Sequence, residues 1–157
     1  MVPKIGISEN NLQKSVELLS VILSDEMLLY IKTRKFHWNV SGESFMELHK
    51  LFEGQYTEIE IIIDEVAERI NKLGSKTIGT MAEFSDRTRL KESPNKYPSQ
   101  KQMIMELLED HESLTTELRK DIDLCADGNH DAGTADLLTK ILQQHETTAW
   151  ILRRYLN

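Results

Sequence analysis

The chain has 157 residues, of which 39% are hydrophobic and 29% are charged, and its formal net charge is −7. A chain of this length is expected to fold as one domain, over residues 1–157, with a buried core. The acidic balance disfavours binding to nucleic-acid phosphates and favours cations as partners. No stretch reaches the roughly 18 apolar residues that a membrane helix needs. The single cysteine and the lack of a secretory signal predict a cytoplasmic protein.

The first predicted helix covers residues 9–36, where apolar side chains recur at alternating three- and four-residue steps. Residues 1–8 form a short N-terminal extension before it. Ser8 and Asn10 are both candidates for its N-cap, because their side-chain oxygens can accept from the free N–H groups of the first turn.

The second predicted helix covers residues 43–72 and has the same apolar period, with Gly74 as its C-terminal stop. The connection that follows, residues 74–98, holds two glycines and two prolines. A short helix is predicted within it, near residues 81–84.

The third predicted helix runs from Ser99, its expected N-cap, to Cys125. The polar turn 126–133 separates it from the fourth helix, 134–156. Four amphipathic helices with one long middle connection predict an all-α four-helix bundle with a crossover.

A set of metal-type ligands lies at the end of the first helix and along the second. Its members are His37, His49, Glu53, Asp64 and Glu68. Imidazole nitrogen and carboxylate oxygen together suit iron and similar transition metals. On a helical wheel, the four members on the second helix share an arc of roughly 100°, centred about 110° from the apolar stripe of that helix. The set therefore faces away from the core of its own chain. The apolar Met46 and Ile61 beside it predict that another surface packs there.

The set divides into two halves along the helix axis. His49 and Glu53 are i,i+4 neighbours, as are Asp64 and Glu68, so each pair can share one ion. About 16 Å separates Glu53 from Asp64, too far for one coordination sphere. The spacing leads to the hypothesis that an antiparallel, two-fold-related copy completes each half, with His37 joining His49, to give two equal sites per dimer. The alternative is that the acids are ordinary charged residues on a solvated helix face.

Two other histidines, His111 and His145, fall on the apolar stripes of the third and fourth helices. Bundle proteins that bind iron inside one chain use Glu-x-x-His pairs, and no such pair occurs in this sequence. Both histidines are therefore expected to be buried, hydrogen-bonded structural residues. His130 in the polar turn is expected to be solvated, and Cys125 to be a small core residue and not a nucleophile.

Residues 35–74, KFHWNVSGESFMELHKLFEGQYTEIEIIIDEVAERINKLG, resemble the signature of the Dps family, or miniferritins, of the ferritin-like superfamily. LLEDHESL and DAGTADLLTKILQQHETTAWILRRYL extend the resemblance over nearly the whole chain. The resemblance implies a ferritin-like four-helix bundle with a short extra helix in the central crossover, assembled as a hollow dodecamer. It also implies ferroxidase centres at two-fold subunit interfaces. One subunit would supply His37 and His49 and its partner Asp64 and Glu68, while Glu53 falls where the family often has a bridging acid.

The same resemblance implies a function. The protein would oxidise Fe(II), preferably with hydrogen peroxide, at a di-iron or mono-iron centre, and would store ferric mineral in the shell, which protects against oxidative damage. Trp38, beside the first ligand, would either intercept stray oxidising equivalents or pack at the interface.

Family members also line a three-fold pore with acids from the turn before the last helix, where this chain has Asp127, Asp131 and Asp136. Negative side chains in a narrow opening concentrate cations. For Asp131 and Asp136, the alternative role is in the turn and in the first turn of the helix.

The alternative function is non-specific DNA binding that protects the nucleoid, with ferroxidase activity secondary. Family members that coat DNA commonly use a lysine-rich tail, whereas only Lys4 precedes the first helix here. Lys32, Arg34 and Lys35 form a small basic cluster, which is more simply explained as the last-turn cations of that helix. Weak or no DNA binding is therefore expected. A third alternative, a bundle without activity, is disfavoured by the five intact ligand positions.

Overall fold

The computed structural model describes residues 2–156, and these residues form five α-helices and no strand. The helices are α1 (Glu9–Asn39), α2 (Phe45–Lys72), α3 (Met81–Arg87), α4 (Gln100–Asp123) and α5 (Ala132–Arg154). None of these helices combines the length and the apolar content that crossing a membrane requires. The predicted all-α class is confirmed.

Two helical hairpins make the bundle. α1 packs along α2, α4 packs along α5, and the apolar faces of the four helices meet in the interior. The long connection from α2 to α4 carries α3, which packs on α1. Leu19, Phe52, Leu107 and Leu138 come from the four long helices and are fully buried. The result is the predicted four-helix bundle with a short extra helix in its crossover.

Polar side chains and one glycine set three helix ends where the sequence predicts them, namely the starts of α1 and α4 and the end of α2. Ser8 caps α1 by accepting from the N–H of Asn11 at 3.3 Å. Ser99 caps α4 in a capping box, in which the side chain of Gln102 accepts from the N–H of Ser99 in return. Gly74 follows α2 with φ +91°, the left-handed conformation that a glycine adopts without strain.

The predicted ends of the first two helices are wrong by a few residues. α1 continues beyond residue 36 to Asn39, and α2 begins at Phe45 rather than at 43. His37 is therefore the basic residue of the last turn of α1. The explanation of Lys32, Arg34 and Lys35 as last-turn cations is wrong, because all three precede that turn.

The connection between α4 and α5 also differs from the prediction. α4 ends at Asp123 and continues as a π-helical turn, Leu124–Gly128, in which the N–H of Asn129 donates to the carbonyl oxygen of Leu124 at 2.9 Å. α5 begins at Ala132, two residues earlier than predicted, because Asp131 is its N-cap. The alternative role predicted for Asp136, in the first turn of the last helix, is consequently wrong, because Asp136 lies beyond the first turn of α5.

Arg89 attaches the crossover to the bundle. Its Nε donates to Asp25 Oδ2 at 2.7 Å on α1, and its Nη1 donates to Asp121 Oδ2 at 2.9 Å on α4. Burial raises the pKa of the Asp25 carboxyl, and the Arg89 guanidinium offsets part of that shift. The network ties α1, the crossover and α4 together.

Candidate metal centre

His37 and His49 lie side by side where α1 ends and α2 begins. Their rings are stacked, with 3.8 Å between centroids and 19° between planes. The Nδ1 atom of His37 lies 2.8 Å from the carbonyl oxygen of His49, and the Nδ1 atom of His49 lies 2.9 Å from the carbonyl oxygen of His37. This reciprocal pair of hydrogen bonds joins the two helices and fixes both rings.

These bonds determine which ring nitrogens are free. A carbonyl oxygen only accepts, so each imidazole donates from its Nδ1–H, and the neutral ring carries its lone pair on Nε2. Within residues 2–156, neither Nε2 atom is engaged in a hydrogen bond. Metal-binding histidines commonly donate their other ring N–H to a backbone carbonyl, which orients the ring and raises its basicity. His37 and His49 therefore fit the role of metal ligands.

The three predicted acidic ligands are exposed on α2. Because α2 is one unbroken helix, His49 and Asp64 lie about 22 Å apart along its axis. The structure thus brings His37 and His49 together and keeps Asp64 and Glu68 of the same chain away from them. Glu53 lies one helical turn from His49.

One subunit does not assemble a complete site. Within residues 2–156, no group of three or more His, Cys, Asp or Glu side chains is arranged to hold a metal ion. A complete centre would need ligands from a second copy, and the meeting of the two halves stays a prediction.

Large apolar side chains surround the predicted ligands in the exposed face. Trp38 is 62% exposed, Met46 58% and Ile61 55%. Apolar side chains so open to water next to charged ones are typical of a surface that another subunit covers.

Tyr56, whose place beside the site sequence reasoning missed, contacts His37 and is itself covered by Arg34. The ring of Tyr56 meets the His37 ring edge-on at 5.2 Å, and the guanidinium carbon of Arg34 lies 4.5 Å from the Tyr56 ring centroid. Tyr56 follows His49 by seven residues, or two helical turns, and this spacing is the signal that could have found it. Tyr56 therefore packs against the His37 ring, and Arg34 packs against Tyr56.

The candidate pore acids lie in different surroundings. Asp127 and Asp136 are exposed, whereas Asp131 is buried and accepts from Arg69 Nη2 at 2.8 Å. Asp131 also caps α5 through the N–H of Thr134. Burial alone would raise the pKa of Asp131, but the bonds from Thr134 and the charge of Arg69 outweigh it and hold that pKa below its usual value. The turn role expected for Asp131 is thereby confirmed, and the pore stays a prediction.

The bundle interior holds a chain of three polar side chains. The Nδ1 atoms of His111 and His145 are 2.7 Å apart, and His145 Nε2 lies 2.8 Å from Glu26 Oε1. The prediction that both histidines are buried and hydrogen-bonded is confirmed. Burial and the neighbouring His145 hold the pKa of His111 well below its ordinary value. Sequence reasoning missed Glu26. Its position, seven residues after Leu19 and therefore on the apolar stripe of α1, is the signal that could have identified it as a buried carboxylate.

Cys125 and His130 lie where the sequence predicts. Cys125 is fully buried, and burial raises the pKa of its thiol to about 12, so it is a core residue. His130 is exposed in the turn before α5.

Comparison with known proteins defines the class. The family model described as the ferritin-like domain matches residues 16–157. A Dps protein from Vibrio cholerae, described as a member of a broad superfamily of ferritin-like diiron-carboxylate proteins, superposes with a TM-score of 0.92 at 28% identity, covering 100% of this chain and 98% of that one. The protein is thus a ferritin-like helical bundle.

Two sequence relatives narrow the assignment. An uncharacterised low-temperature-induced protein from Nostoc is 40% identical over 97% of this chain and 85% of its own length. The DNA protection during starvation protein 2 of Bacillus anthracis is 36% identical over 90% of this chain and 96% of its own length. The chain belongs to the Dps family, the miniferritins, as its sequence motifs predict.

Proposed function

We propose that this protein is a ferroxidase and iron-storage miniferritin. It oxidises Fe(II), preferably with hydrogen peroxide, at centres shared between two subunits, and it keeps the ferric product as mineral inside a hollow dodecameric shell. Membership of the Dps family supports a general role in iron storage and stress protection. The observation that carries the proposal is the reciprocal bonding of His37 and His49, which leaves the two Nε2 lone pairs free, one helical turn from Glu53 along an exposed, partly apolar face.

The ligand set suits iron oxidation. His37 and His49 would bind Fe(II) through Nε2, and Asp64 and Glu68 of a second copy would add two negative charges. Anionic ligands stabilise Fe(III) more than Fe(II), because the attraction grows with the charge of the ion. One hydrogen peroxide molecule takes one electron from each of two Fe(II) ions and two protons, giving two Fe(III) ions and two water molecules. Reduction by both electrons releases no hydroxyl radical, which is how the reaction would protect against oxidative damage.

Asp127 and Asp136 would act at the iron entrance. Both are exposed near the start of α5, where their negative charge would attract Fe(II). Asp131 would contribute by holding the turn in place, since Arg69 and Thr134 occupy its carboxylate.

The alternative function, DNA protection, is favoured by the name of the Bacillus anthracis relative, DNA protection during starvation protein 2. The basic cluster of this chain does not favour it, because its cations already have partners. Lys32 pairs with Asp110 at 2.5 Å, and Lys35 donates to the carbonyl oxygen of Ser93 at 2.8 Å. We therefore expect the protein to leave duplex DNA unretarded at near-physiological ionic strength. Retardation that added salt abolishes would contradict this expectation and would favour the DNA-protection role.

The experiment that tests the ferroxidase function mixes the protein anaerobically with Fe(II) and half an equivalent of hydrogen peroxide. Asp64→Asn and Glu68→Gln should each slow Fe(III) formation, followed by ultraviolet absorption, by at least about 10-fold. Glu58→Gln is the matched control, because Glu58 is exposed on the same helix but outside the ligand arc. A wild-type protein no faster than Asp64→Asn would refute the proposal.

A further inference from the structure

Lys72 is the last residue of α2, one helical turn beyond Glu68. Its Nζ lies 2.9 Å from Glu68 Oε2, and the side chains of Lys72 and Glu68 are 63% and 57% exposed. Among the five predicted iron ligands of the described chain, Glu68 is the one whose ligating group is held by a cation of its own chain. The histidine half of the centre carries free lone pairs, whereas the acid half carries an internal counter-ion.

We propose that Lys72 weakens metal binding by the iron centre, because its ammonium competes with the ion for the Glu68 carboxylate. The proposal rests on the proposed function, since it concerns the same ligands. A divalent ion bound to Glu68 would lie roughly 5 Å from the Lys72 ammonium if the lysine kept its place. The lysine must swing away or remain and repel the ion, and either response lowers the affinity of this position.

The competition becomes stronger when the centre is assembled. An exposed lysine–glutamate pair is weak because water screens it. The exposed apolar side chains beside the ligands, Met46 and Ile61, would exclude water once a second copy covers them. Repulsion between the ammonium and the ion then acts through a medium of lower dielectric constant. The assembled centre consequently binds metal less tightly than it would without the Lys72 ammonium.

The simpler role of Lys72 is structural. A cation in the last turn of a helix interacts favourably with the helix dipole, and an i,i+4 pair adds a few tenths of a kcal/mol. Such a role would change thermal stability slightly and would leave metal affinity unchanged. Metal affinity is therefore the measurement that separates the two roles.

The test titrates the intact oligomer with Co(II) and follows its visible absorption, which needs no turnover. Lys72→Met should bind Co(II) at the centre about 3- to 30-fold more tightly than wild type, and the difference should shrink as salt is added. Lys72→Arg keeps the charge and should match wild type. Lys76→Met is the matched control, since Lys76 is exposed beyond the end of α2.

Lys72→Gln serves as a second neutral variant in case methionine alters assembly, which size-exclusion chromatography reports. Equal Co(II) affinities of wild type and both neutral variants, with binding still lost in Glu68→Gln, would overturn the role of Lys72 alone. Absence of any saturable Co(II) binding that depends on His49 would overturn the proposed function as well.

Discussion

Two inactive variants should restore activity to each other if the iron centre is divided between subunits. One variant, His49→Leu, lacks the histidine half, and the other, Asp64→Asn with Glu68→Gln, lacks the acid half. In a mixed two-fold dimer, one centre combines the two altered halves and the other combines the two intact halves. A mixed dimer therefore holds one complete centre, whereas a dimer of either variant alone holds none.

The expected recovery follows from this symmetry. Random association gives about half mixed dimers, so about a quarter of all centres should be intact. Rescue within one chain is excluded by geometry, because His49 and Asp64 lie about 22 Å apart on an unbroken helix. The assay dissociates and reassociates the two variants together, verifies mixing by mass spectrometry, and measures the amplitude of rapid Fe(II) oxidation by peroxide. Mixed assemblies no more active than the separate variants would refute the divided centre.

Two further predictions concern stability. Between the lowered pKa of folded His111 and its ordinary value of 6.5, the unfolded chain binds more protons than the folded one. Acid should therefore lower the free energy of unfolding there by up to about 1.4 kcal/mol per pH unit, and His111→Gln should flatten this slope in urea titrations. Asp131→Ala should cost about 2–4 kcal/mol, because it removes a helix cap and leaves Arg69 unpaired. Asp131→Asn, which keeps the cap, should cost less in the same thermal unfolding measurement.

The helices could be predicted from the sequence because their signals are local. Leu19, Phe52 and Leu107 recur at helical spacing and are fully buried, and Ser99 caps its helix as its position suggests. The predicted helix ends are wrong where a contact with a residue distant in sequence determines the end. Gly133 falls in the predicted polar turn 126–133, because glycine is typical of turns. It lies instead inside α5, where an added Cβ would come within 2.9 Å of the Arg69 guanidinium. Nothing in the residues of the π-helical turn signals its conformation.

For the candidate site, the residue types could likewise be predicted from the sequence, whereas the contacts between helices could not. The residue types and their i,i+4 spacing can be read from the chain, so the five candidate ligands could be proposed without coordinates, and their role stays a prediction. The hydrogen bonds that orient the rings of His37 and His49 join α1 to α2 across a turn. Their geometry depends on how α1 packs on α2. Lys72 lies at a spacing from Glu68 that sequence reasoning could have used, because i,i+4 pairs of opposite charge are local.

A divided centre makes iron binding and subunit association thermodynamically inseparable. If a complete ligand set exists only where two copies meet, metal must strengthen association by the same factor by which association strengthens metal binding. The exposed Trp38, Met46 and Ile61 supply apolar area for the contact, while the negative charges of Asp64 and Glu53, one on each half of the centre, oppose it until a cation is bound. Metal would relieve that repulsion as well as adding bonds. Co(II) should therefore raise the thermal stability of the wild-type assembly, and it should do so much less for Asp64→Asn, whose interface has already lost one of the repelling charges.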